Sequence, residues 1–100
     1  MQFEIIVLVK GQRYKMQVKR IYEGETIERF EVTAGGKSVV FQTDYHYLKK
    51  THSRKSPDWK IISGEVKDGA GFALTIREIE RHFKNEEDVN REHPKNKPFL

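Results

Sequence analysis

The sequence predicts an α+β fold: an antiparallel β-meander of four strands plus a fifth, with one C-terminal helix packed on the apolar sheet face. Three observations predict it. Apolar and polar residues alternate with period two through most of residues 2 to 43, turn residues break that alternation at short intervals, and helical spacing appears only after residue 74. A length of 100 residues, with 36% apolar and 11% aromatic residues, suits one small core.

The first turn is expected at Gly11-Gln12, because glycine in the first loop position takes the positive φ of a type II′ hairpin. Val9 then faces Tyr14, Val7 faces Met16 and Ile5 faces Val18. Gly35-Gly36 suits a type I′ turn, so Thr33 faces Ser38, Val32 faces Val39 and Phe30 faces Phe41. Between these hairpins, a three-residue loop at Glu23 to Glu25 keeps apolar residues opposed, with Val18 against Phe30, Met16 against Val32, and Arg20 against Glu28 as a charge pair. One face thus gathers Phe3, Ile5, Val7, Val9, Tyr14, Met16, Val18, Phe30, Val32, Val39 and Phe41. The other is polar and free of aromatics, interrupted by Ile6, Leu8 and Val40.

After Asp44 the alternation breaks at Tyr45-His46-Tyr47-Leu48, and the polar stretch Lys49 to Pro57 reads as a loop. Asp58 to Ser63 is a fifth strand ending in a bend near Gly64. Phe72-Ala73-Leu74 reads equally as a short sixth strand or an early helical turn. The helix is expected to start at Thr75, where Thr75-x-x-Glu78 has the spacing of a capping box, with Ile76, Ile79 and Phe83 on its apolar stripe. A helix of about ten residues, roughly 15 Å long, is too short to cover so wide a sheet. Trp59, Phe72 or a second copy of the chain is expected to complete the cover. Residues 1–84 are read as the domain and 85–100 as a polar, disordered C-terminal tail ending in Phe99-Leu100.

Composition removes several chemistries. With no cysteine there is no disulfide framework, thiolate nucleophile or thiolate metal site. Met1-Gln2-Phe3-Glu4 lacks a basic leader and the longest apolar run is Ile5 to Val9, so a cytoplasmic protein without membrane contact is expected. His46, His52, His82 and His93 form no metal-ligand spacing, and His82 is expected to make a surface pair with Glu78. The glycines from Gly64 to Gly71 match neither a P-loop nor a dinucleotide turn, and there is no GxSxG. No enzyme activity, cofactor or metal is therefore expected.

Charge supplies the remaining signal. The formal charge is +4, yet residues 49 to 60 alone carry five cations against one anion, and the segments on either side are close to neutral. The candidate binding residues are Lys49, Lys50, His52, Arg54 and Lys55, because clustered cations attract phosphates, together with Tyr45 and Tyr47, whose rings could stack on an unpaired base. The expected function is a small non-enzymatic binding module that contacts an anionic partner, nucleic acid among the candidates, through this basic loop. The alternative is a structural or protein-interaction module acting as a homodimer, suggested by the excess of apolar sheet face and by Ile6, Leu8 and Val40.

Overall fold

A computed structural model describes the backbone of residues 1–96 and the side chains of residues 1–86. The elements run β1 (Gln2–Val9), β2 (Gln12–Glu23), β3 (Glu28–Ala34), β4 (Lys37–Thr43), α1 (Tyr45–Lys50), β5 (Trp59–Ser63) and α2 (Gly69–Asn96). The five strands form one antiparallel sheet in the order β1-β2-β3-β4-β5, and α2 crosses its apolar face. That is the expected meander and helix.

The apolar face is also the expected one, although two of its registers differ. The first turn is Lys10-Gly11, with φ of 51° and 79°, so Val9 pairs with Gln12, Val7 with Tyr14 and Ile5 with Met16. Between β2 and β3, Val18 pairs with Val32 and Arg20 with Phe30, and the connection is Gly24 to Ile27, closed by Gly24 N–H donating to Ile27 O at 2.8 Å. Each register is two residues from the one the alternation suggests. A slip of two leaves every side chain on its own face, so the hydrophobic pattern cannot choose between them and the turn does. The hairpin at Gly35-Gly36 has the expected pairs and positive φ at both glycines.

A β-bulge between Arg20 and Tyr22 changes one face assignment. It inserts Ile21 and sets Tyr22 opposite Arg29, on the outer side of the sheet, so the outer face does carry an aromatic ring. Arg29 lies over that ring at 5.3 Å and donates to Gln42 Oε1.

On the inner face, Ile5, Val7, Val18, Phe30, Val32 and Phe41 are buried with Ile79 and Phe83 of α2. Phe72 meets Phe41 at one end of the contact, and Phe83 meets Phe30, Tyr45 and Phe3 at the other. The helix therefore runs obliquely from β4 to β1. Trp59 and Phe72 add the expected cover, packed at the margin of the core.

The helix is longer at both ends than its amphipathic stripe. It starts at Gly69, where Asp68 caps it: Asp68 Oδ1 accepts from Ala70 N–H and Asp68 O from Phe72 N–H. Phe72-Ala73-Leu74 is helical, and Thr75 is an interior residue whose hydroxyl donates to Gly71 O at 2.7 Å. Ser/Thr-x-x-Glu spacing fits a helix interior as well as a helix start, and here the cap is Asp68, next to Gly69. At the far end the helix continues through Asn85 to Asn96, where a disordered tail was expected. Phe99 and Leu100 lie outside the described residues.

The stretch after Asp44, for which no regular element was expected, contains α1, whose last two residues fall in the expected loop. Thr43 Oγ1 accepts from Tyr45 N–H, Asp44 O accepts from Leu48 N–H, and Tyr45 and Leu48 turn inward on this short helix. Six residues offer too few repeats for helical periodicity to register in sequence.

Candidate anion-binding groove

Beyond α1, residues 51 to 58 form a loop that is tied down at several points. Ser53 N–H donates to Leu48 O, Lys55 N–H to Ser53 Oγ, and Asp58 N–H to Asp44 Oδ1. His52 takes a left-handed conformation, φ 56°, to reverse the chain after α1. These bonds set Lys55 and Pro57 across a cleft from the exposed flank of α2.

That cleft has a volume of about 440 Å³ and gathers cations from three elements: Lys49 of α1, Lys55 of the loop, and Arg77, Arg81 and Lys84 of α2. The three α2 residues are spaced i, i+4, i+7, which places them along one helical flank. Among the described residues, Glu80 is the one carboxylate lining the cleft, and its Oε2 accepts from Trp59 Nε1 at 2.8 Å. Arg81 has a long contact of 3.4 Å with Glu78. Cations thus converge on one concavity with little opposing charge, a field that favours an anion.

The expected site residues divide. Lys49, Lys55 and one edge of Tyr45 line the groove, but the Tyr45 ring is only 5% exposed and packs on Phe83 and His46. It is a core residue, not a stacking platform. Trp59 is likewise held against Phe30 and Phe41. Lys50 and Tyr47 point to the other side of α1, where they border a second hollow, and His52 and Arg54 are exposed outside the groove. Arg77, Arg81 and Lys84 were not among the expected residues; their helical spacing was visible, but the segment containing them is neutral when its charges are summed along the chain.

In the second hollow, Glu28 is buried at 6% exposure between Arg20 and His46, hydrogen-bonded to Arg20 Nη1 at 3.1 Å and to His46 Nδ1. Burial raises the Glu28 carboxyl, but the hydrogen bonds and positive charge of His46 and Arg20 outweigh it and hold the group below its ordinary value. The expected charge pair of Arg20 and Glu28 therefore forms, diagonally across the strands, with His46 as an unexpected third member. His82 pairs with Glu86, not Glu78, and its ring stacks on Phe3 with centroids 3.7 Å apart. Among the described residues no cluster of three or more His, Asp and Glu is arranged to hold a metal ion.

Arg13, Lys15 and Lys19 lie on the outer sheet face, opposite Leu8, Ile6 and Gln2, and so are separated from the groove by the sheet itself. No protein-family model, curated protein or solved structure matches the chain. No helix among the described residues is long and apolar enough to cross a membrane.

Proposed function

We propose that this chain is a non-enzymatic binding module that holds the backbone of a single-stranded nucleic acid in the groove between α2 and the end of α1 with the loop that follows it, residues 51 to 58. The observation that supports this is the convergence of Lys49, Lys55, Arg77, Arg81 and Lys84 on one cleft whose lining carboxylate, Glu80, is already engaged by Trp59. From Arg77 to Lys84 is seven residues, roughly 10 Å of helix, enough to face more than one phosphate. With Tyr45 and Trp59 committed to the core, the groove offers charge and hydrogen-bond donors without an open ring. Contacts to phosphate position a strand but do not read its sequence, so weak sequence preference and strong salt dependence follow.

Fluorescence anisotropy with a labelled mixed-sequence oligonucleotide at several salt concentrations tests this. The expected result is binding at low salt that weakens as salt rises, with a log–log slope of about −0.7 per phosphate contacted. Replacing Arg77, Arg81 and Lys84 with serine should flatten that slope and lower affinity. Absence of binding at low salt, or binding indifferent to these substitutions, overturns the reading. A second reading, self-association, rests on a different surface, the unpaired edge of β1.

A further inference from the structure

The sheet has two edges, and the chain treats them differently. β5 is short, five residues, its register breaks between Val40 and Phe41, and Lys60 lies within it. Short length, a bulge and lysine are the devices that discourage a strand from pairing with another molecule. β1 has eight residues in unbroken register with β2 from Gln2 to Val9, without proline or bulge, and Glu4 is its single charged residue. Its outer side presents Ile6, 39% exposed, and Leu8, 59% exposed.

Among the described residues, the backbone of β1 is unpaired on alternate residues. Val9 and Gln12 close a two-residue hairpin and form a hydrogen-bonded pair, so Val7 and Ile5 also bond to β2 while Leu8, Ile6 and Glu4 direct their N–H and C=O groups away from the sheet. A cleft of about 280 Å³ runs beside this edge between Glu4 to Ile6 and the Arg81 and His82 side of α2, and Ile6 and Leu8 remain exposed.

We propose that β1 pairs antiparallel with β1 of a second copy of this chain, about a two-fold axis at Val7, joining two five-stranded sheets into one. The strand is complementary to itself in that register. Ile6 meets Leu8 of the other copy, twice by symmetry, through the outward backbone groups of both residues; Val7 meets Val7; Ile5 meets Val9; and Glu4 comes opposite Lys10. Four exposed aliphatic side chains gain cross-strand contacts on the outer face and the two Glu4–Lys10 pairs are matched in charge. Registers two residues away set Glu4 against Leu8, or Ile6 against Lys10, and lose that match. Because the same patch serves both copies, the contact closes on itself, and the guarded β5 edge keeps the sheet from extending further. This inference is independent of the groove reading: Arg81 borders both clefts, but the contact itself is made by β1.

Sedimentation velocity over a range of micromolar concentrations tests it. The expected result is a dimer for the native chain and a monomer for Ile6→Lys, a substitution at a solvent-facing position that should leave the circular dichroism spectrum unchanged. Charge reversal supplies the second arm: Glu4→Lys should weaken the dimer about tenfold or more, and adding Lys10→Glu should restore it. A native chain that remains monomeric at high micromolar concentration overturns the proposal, whether or not an extended peptide binds there. So does a dimer that neither Ile6→Lys nor the charge reversals alter. Oligonucleotide binding by the monomeric variant reports on the groove separately.

Discussion

Glu28 shows what a single buried carboxylate contributes here. Its folded-state value is depressed by His46 and Arg20 in spite of burial, so the stabilisation it provides is complete above the unfolded-state value and is lost as pH falls through the folded one. Urea unfolding between about pH 6 and pH 3 should show a steep loss for the native protein and a shallower one for Glu28→Gln. At neutral pH the variant should be less stable by roughly 1–3 kcal/mol, as expected when a buried hydrogen-bonded charge is removed, and the gap should narrow in acid. Equal pH profiles would refute this. Half of the cluster was legible in sequence: Arg20 and Glu28 are opposite in the expected register and diagonal neighbours in the observed one. His46 was not, because α1, which carries it to Glu28, has no periodic signature.

At the scale of elements, the start of α2 separates a motif from its use. Asp68 satisfies two early amides, whereas Thr75 bonds back to Gly71 within the helix. Asp68→Ala should therefore cost about 1 kcal/mol, a drop of roughly 4–8 °C in melting temperature for a domain of this size. Thr75→Ser, which keeps the hydroxyl, should leave the helix boundary in place, and amide exchange across residues 69 to 74 would reveal a boundary that moved. Strands and their faces were readable because period-two alternation persists over β1 to β4. Exact partners were readable across Gly35-Gly36 but not at the other two hairpins, where two registers offered the same apolar surface and turn geometry, such as positive φ at Lys10 as well as Gly11, decided between them.

Across the whole molecule, charge that is balanced along the chain is unbalanced in space. The segment from residue 61 to 84 is neutral by sequence, yet Arg77, Arg81 and Lys84 share a flank facing Lys49 and Lys55, while Glu65 and Asp68 precede the helix or cap it. Half of the groove was thus legible as a run of cations, and the other half needed the fold to bring α2 beside α1. The outer face supplies a control of equal charge. Replacing Arg13, Lys15 and Lys19 with serine removes as many cations as the three α2 substitutions, and should lower oligonucleotide affinity far less, because the sheet separates them from the cleft. Equal losses from the two triple variants would show that net charge, not the groove, governs binding. The alternating faces of this meander also set an even-and-odd rule for how its length can change. Two residues added at the Lys10-Gly11 turn return β1 to the same side of the sheet, whereas one added residue exchanges the core and solvent sides of the strand unless a bulge absorbs it. Ile21 is such an odd residue retained within β2: from it onward the chain runs with inverted parity, which is how Tyr22 comes to face outward beside Arg29. Natural variants of this chain should therefore tolerate length changes in pairs at its hairpins and single-residue changes only where the strand already departs from regular pairing.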